Sequence, residues 1–161
     1  MFVTETPTEK GNAEHYQSLN QQLSALVTGE PNLIANLANI SAVLYEQLDD
    51  LNWLGFYLAD GEELVLGPFQ GKVACVRIPF GKGVCGTAAS SQKIQRIADV
   101  HAFPGHIACD SASNSEIVLP IVVNGKTVAV LDIDSPQANR FSATDEVGLA
   151  ALLPLLASLN W

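Results

Sequence analysis

The sequence predicts an α+β layered domain, and three observations carry that prediction. Helical patterns of apolar residues run from Asn12 to Thr28 and from Leu33 to Leu48, two turn dipeptides, Asp60-Gly61 and Asn124-Gly125, each divide a pair of short apolar runs, and a helical pattern returns after Ser142. Helices followed by hairpin-connected strands and a closing helix bury their apolar faces by stacking in layers around one core. At 161 residues the chain has the length of a single domain spanning 1–161.

From Asn12 to Thr28 the positions Leu19, Leu23, Ala25, Leu26 and Val27 lie within polar sequence, and Gly29 stands where a helix stop belongs. Pro31 suits a first helical turn, and Leu33, Ile34, Leu37, Ile40, Val43, Leu44 and Leu48 mark one face of a second helix. Asp49 and Asp50 introduce the aromatic-rich run Leu51 to Leu58, and the turn at Asp60-Gly61 leads back through Glu63 to Phe69, a hairpin. A third strand is expected over Val73 to Ile78, ending at Pro79, and a short helix over Cys85 to Ser91. Lys93 to Asn114 reads as a structured loop with one short strand at Ile94 to Ile97. Glu116 to Val123 and Thr127 to Asp134 form a hairpin about Asn124-Gly125. Ser142 is an N-cap for a last helix, Thr144 to Leu159, which Pro154 should kink.

Composition narrows the partners. Eight Lys and Arg against 17 Asp and Glu give a net charge of -9, which repels phosphate backbones and anionic membranes, so nucleic acid and membrane are not expected partners. The apolar stretch Val147 to Leu159 is interrupted by Pro154 and shorter than the ~20 residues a bilayer requires. Met1 to Asn12 carries Glu5 and Glu9 without a basic segment leading into an apolar one, so it does not read as a secretory signal and a cytoplasmic location is expected.

Three cysteines, Cys75, Cys85 and Cys109, match neither a disulfide scaffold nor a paired zinc motif, which leaves buried filler or redox chemistry. Cys109 lies in the loop His101 to Asp110, where a thiol can be reached. Its thiolate is the nucleophile, and with an ordinary pKa of about 8.5 it needs help. His101 and His106 are the nearest candidates, while Asp110 opposes the anion. Cys75 sits in an alternating stretch that fits an inert strand thiol, and Cys85 in the flexible Gly83-Val84-Cys85-Gly86. Their concentration within 35 residues favours redox use. Asp132 and Asp134 share one strand face, because strand side chains alternate, and Glu116 opens the neighbouring strand. These carboxyls are either a solvated strand end or an acidic pocket for an ammonium group.

Several segments together resemble the free methionine-(R)-sulfoxide reductases of the GAF-domain class. They are Asn52-Trp53-Leu54-Gly55-Phe56-Tyr57, Gly67-Pro68-Phe69-Gln70-Gly71, Ala74-Cys75-Val76-Arg77-Ile78-Pro79, Gly83-Val84-Cys85-Gly86-Thr87-Ala88, the His101 to Asp110 loop, Ser113-Asn114-Ser115-Glu116 and Leu131-Asp132-Ile133-Asp134-Ser135. The resemblance implies a GAF-type domain with a six-stranded antiparallel sheet flanked by helices, often a homodimer, acting on the free amino acid. By that resemblance Cys109 is the catalytic thiol, Cys75 its resolving partner and Cys85 an auxiliary. Glu116, Asp132 and Asp134 would hold the ammonium or polarise the sulfoxide, and Trp53 would wall the pocket against the substrate methyl. Cys109 would become a sulfenic acid as methionine leaves, Cys75 would displace water to form a disulfide, and thioredoxin would reduce it, with no metal or organic cofactor. The rival expectations are a small-molecule-binding GAF sensor and a zinc module using Cys75, Cys85, Cys109 and His106.

Overall fold

The computed structural model describes residues 2–5, 9–106 and 112–161; the expected nucleophile, Cys109, lies outside the described residues. Helix α1 spans Ala13–Val27, and its N-cap Asn12 accepts a hydrogen bond from the His15 amide. Helix α2 spans Leu33–Gln47 under the same kind of cap, Asn32 accepting from the Ala35 amide. Pro31 therefore precedes the cap instead of occupying the first turn, because the Asn32 side chain satisfies an amide that Pro31 has no means to serve.

Strands β1 (Trp53–Asp60) and β2 (Glu63–Gly71) form the first hairpin, with Gly61 at φ 62° opening its two-residue turn. Strand β3 is confined to Arg77–Pro79. The expected strand from Val73 is a correction: Val73 and Val76 are 88% and 60% exposed, so the alternation there has no core to face. Helix α3 covers Gly83–Ser91, two residues earlier than expected, and β4 covers Gln95–Ile97. Strands β5 (Ser115–Val123) and β6 (Lys126–Ser135) make the second hairpin, with Asn124 and Gly125 both at positive φ as a type I′ turn requires.

The closing segment is two helices, α4 (Ala143–Ala150) and α5 (Leu153–Ala157), where one kinked helix was expected. Pro154 has no amide to donate back along the chain and its ring crowds the carbonyl of Ala150, so α4 stops and a new first turn accommodates the proline. Ser142 caps α4 in a capping box with Asp145, as its position implied.

The sheet order is β3-β2-β1-β6-β5-β4, with every pairing antiparallel. On one face Leu54, Phe56, Ile117, Leu119, Leu131 and Ile133 pack with the apolar sides of α1, α2, α4 and α5. On the other, Trp53, Tyr57, Val118 and Val130 meet Val84, Cys85, Ala88 and Ala89 of α3. Each fully buried side chain of Leu, Ile or Phe size contributes roughly 1.5–3 kcal/mol, which holds both layers to the sheet and fixes what the second face presents. Among the described residues no helix is long and apolar enough to cross a membrane.

Candidate active site

The second sheet face carries the chemistry because the pleat aligns it in rows. Trp53 pairs with Asp134 across β1 and β6, and Asp134 pairs with Glu116 across β6 and β5. The next row along runs Gly55, Asp132, Val118. Asp132 and Glu116 are 5% and 7% exposed, so a solvated strand end does not describe them; Asp134 is half-buried.

Helix α3 lays Cys85 onto these rows. Its Sγ lies 3.9 Å from Glu116 Oε2, and donor atoms of Cys85, Glu116 and Asp132 all fall within 4.8 Å of one another. The start of α3 presses close to the turn after β3: a Cβ on Gly86 would strike the Pro79 carbonyl and stand 3.1 Å from the Gly81 amide nitrogen. That approach requires glycine. Among the described residues no side chain caps the helix, and Gly83, Val84 and Cys85 of its first turn border the pocket.

Trp53 is braced on three sides. Its ring stacks on Phe69 at 5.1 Å and on Tyr57 at 5.8 Å between centroids, and its Nε1 donates to the Lys72 carbonyl at 3.1 Å. Gly55 makes room for this arrangement, since a Cβ there would collide with Phe69 and lie 2.9 Å from the Pro68 carbonyl. The Tyr57 hydroxyl donates to the Cys75 carbonyl at 3.0 Å, tying the segment that carries Cys75 to the aromatic wall. Cys75 itself is half-buried in irregular backbone and disulfide-bonded, whereas Cys85 is a free, buried thiol.

Burial raises the proton affinity of the whole group. Glu116 is pushed well above the usual carboxylate range by loss of solvent, then by the neighbouring carboxylates Asp132 and Asp134. Asp132 is raised by the same burial, with hydrogen bonding to Glu116 and Cys85 pulling the other way. Cys85 is likewise driven up, by burial first and the carboxylates second, so it is a protonated thiol and not a poised nucleophile. His106, which borders the pocket, is held below its usual range by burial and by His101, against the pull of Asp132. His101 is exposed, bonding through Nε2 to Asn114 Oδ1 at 3.1 Å, and does not line the pocket.

The cavity left between these groups has a volume of about 40 Å³. Trp53, Cys85, Glu116, Asp132 and Asp134 all line it, while Cys109 lies outside the described residues.

Comparison with known proteins places this geometry. Residues 32–158 match the GAF domain family. The free methionine-R-sulfoxide reductase of Escherichia coli (strain K12) is 59% identical over 89% of this chain and 87% of its own length. The chain belongs to the GAF-domain family of free methionine-R-sulfoxide reductases. Protein YtsP of Bacillus subtilis is 64% identical over 81% of this chain and 82% of its own. The X-ray structure of free methionine-R-sulfoxide reductase from Neisseria meningitidis in complex with its substrate superposes with a TM-score of 0.93, at 43% identity, over 98% of this chain and 94% of that one.

Within this family framework the pocket includes residues that sequence reasoning did not single out. Tyr57 follows Trp53 by four positions on one strand and so shares its face, a signal present in the period-two pattern. Ser113, which accepts a 3.0 Å hydrogen bond from Asn52 Nδ2, and Lys82, Gly83 and Val84 at the start of α3 reach the pocket through tertiary packing that no local pattern encodes. Chemically, a carboxyl held neutral donates a hydrogen bond or a proton, and a half-buried carboxylate accepts a cation.

Proposed function

We propose that this chain, a single GAF-type domain over 1–161, reduces free methionine-(R)-sulfoxide to methionine. The observation that carries the reading is the acidic row Trp53–Asp134–Glu116, with Asp132 beside it, lining a pocket under α3 in a chain this similar to free methionine-R-sulfoxide reductases. A buried cluster of carboxyls against an indole suits a small zwitterion with an ammonium at one end and a methyl at the other. Its carboxylate fits the uncapped amides at the start of α3.

In the mechanism, the Cys109 thiolate attacks the sulfoxide sulfur while a proton reaches the sulfoxide oxygen, and Glu116, whose proton burial favours keeping, is the donor assigned to that step. The protonated oxygen then passes as hydroxyl from the substrate sulfur to the Cys109 sulfur while the bond between the two sulfurs opens, so methionine leaves with the electron pair and Cys109 is left as a sulfenic acid. The Cys75 thiol displaces that oxygen as water, forming a disulfide. A cytoplasmic dithiol, thioredoxin, reduces the disulfide by exchange and restores both thiols. The disulfide-bonded Cys75 and the free Cys85 fit a resolving role for the first and an auxiliary role for the second. Asp134 and Asp132 hold the ammonium, and Trp53 receives the methyl. A homodimer in the cytoplasm is the expected form.

The test is methionine production from free methionine sulfoxide with a thioredoxin system, run with each epimer. Turnover of the R epimer alone supports the reading. Binding without turnover would favour a GAF sensor.

A further inference from the structure

We propose that Cys85, Glu116 and Asp132 form a binding site for a thiophilic divalent cation of the Zn²⁺ or Cd²⁺ type, whose occupancy blocks the substrate pocket reversibly. Among the described residues these three are the one group of His, Cys, Asp and Glu side chains whose donor atoms all lie within 4.8 Å of one another. They converge from three elements, α3, β5 and β6, and all are buried, at 5%, 7% and 5% exposure. Cys85 Sγ and Glu116 Oε2 are 3.9 Å apart. A tetrahedral zinc with sulfur at ~2.3 Å and oxygens at ~2.1 Å sets its donors roughly 3.5 Å apart, so Cys85 and Glu116 need close in by only a few tenths of an ångström and no pair of the three by more than about 1.3 Å.

A second observation points to a ligand. Asp132 Oδ1 is buried without a hydrogen-bond partner, on a carboxyl that borders both the thiol and the second carboxyl. A cation at the centre of the three groups answers that oxygen, and its charge offsets the anions that Cys85 and Glu116 become on coordination. The donor set selects the metal: one thiolate with two carboxylates suits Zn²⁺ or Cd²⁺, whereas Mg²⁺ and Ca²⁺ prefer oxygen alone. Three protein donors leave a fourth position open to solvent or ligand. Cys75 is disulfide-bonded while Cys85 is free, so the site is complete without Cys75 and differs from a zinc module that would recruit it. Coordination releases the Cys85 thiol proton and the proton that Glu116 holds, both to solvent, and leaves every oxidation state unchanged.

Blockage of catalysis rests on the function proposed above, because Glu116 and Asp132 are there assigned to the substrate; metal binding does not. The full chain carrying Cys75→Ser and Cys109→Ser keeps Cys85 as its one thiol. Titrated with Cd²⁺, it should develop the ultraviolet thiolate-to-metal charge-transfer band to one equivalent per chain, undisturbed by excess Mg²⁺. Adding Asp132→Asn or Glu116→Gln should each weaken binding at least tenfold, with thermal melting in metal-free buffer showing which variants fold; should one not fold, the other decides. Absence of the band, or unchanged affinity in the folded carboxyl variants, overturns the site. In single-turnover reactions of pre-reduced wild type, Zn²⁺ should raise the sulfoxide concentration needed for half-maximal rate at least tenfold, and a chelator should reverse it. Unchanged rates under saturating Zn²⁺ overturn the blockage, while a metal-free arm that releases no methionine overturns the functional reading and leaves the Cd²⁺ titration standing.

Discussion

Glu116 and Asp134 face each other directly across the β5–β6 ladder. Opposed carboxyls on one sheet face repel when both are ionised, and burial removes the solvent that would screen them. Burial is the first cause that raises the proton affinity of Glu116, and the carboxyls of Asp132 and Asp134, brought beside it by strand register, add to it, so the shift is a property of the fold.

That retained proton makes stability depend on pH with a definite sign. Unfolded, Glu116 ionises near the ordinary value of about 4.3; folded, it holds its proton well above that. The folded state binds more protons, so this contribution is fully present below about pH 4 and is lost as pH rises toward the folded pKa. Glu116→Gln removes the dependence. Thermal melts across roughly pH 4 to 7 should show the variant gaining on wild type as pH rises. Parallel curves would mean that the Glu116 carboxyl is ionised in the folded protein.

Gly55→Ala should damage the aromatic wall. The added methyl would stand 2.8 Å from the Phe69 Cα and 2.9 Å from the Pro68 carbonyl oxygen, so Phe69 must move and its stacking on Trp53 is lost. Overpacking of this kind costs about 1–3 kcal/mol. Denaturant unfolding should detect the loss, and methionine sulfoxide KM should rise several-fold if Trp53 receives the methyl. A fully stable variant with unchanged KM would separate the wall from both roles.

Legibility followed the range of the forces involved. Turn chemistry at Asn124-Gly125 and the capping box at Ser142 are encoded within a few residues and could be read directly. The shared face of Asp132 and Asp134 follows from period two alone. Their meeting with Glu116 depends on register, and their covering by Cys85 depends on how α3 docks, so sequence pattern placed these residues on elements but not beside one another. Cys75 reads as a strand residue because Ala74, Val76 and Ile78 recur with period two around it, yet Val76 is 60% exposed and the segment before Arg77 faces no core. The break between α4 and α5 was read as a kink because proline at that point permits either outcome.

The cysteines separate by the step each would perform. Cys109→Ser should leave the fold intact and abolish sulfoxide reduction, since a hydroxyl is far less ionised than a thiol; methionine release at the wild-type rate would remove Cys109 from the mechanism. Cys75→Ser should release about one methionine per chain and then lose most thioredoxin-supported turnover, because the sulfenic acid forms but is not resolved efficiently. Normal turnover would transfer the resolving role to Cys85 or to direct reduction.

Discrimination between free and peptide-bound substrate should reside in the acidic row. A free amino acid carries an ammonium that a peptide-bound residue lacks, and Asp134 stands half-buried between Trp53 and Glu116, where such a cation would meet it. A hydrogen bond to a charged group contributes about 1.5–3 kcal/mol, and about 1.4 kcal/mol is one factor of ten in rate. N-acetylation of the sulfoxide should therefore lower kcat/KM at least tenfold. Asp134→Asn should lower activity toward the free amino acid while narrowing its advantage over the acetylated form, because the variant no longer supplies the charge that the ammonium answers. The comparison needs fixed pH and saturating thioredoxin, so that the substrate-dependent step limits kcat/KM. Equal efficiency of wild type on both substrates would show that these carboxyls do not bind an ammonium, and proton transfer to the sulfoxide oxygen would be the role left to them.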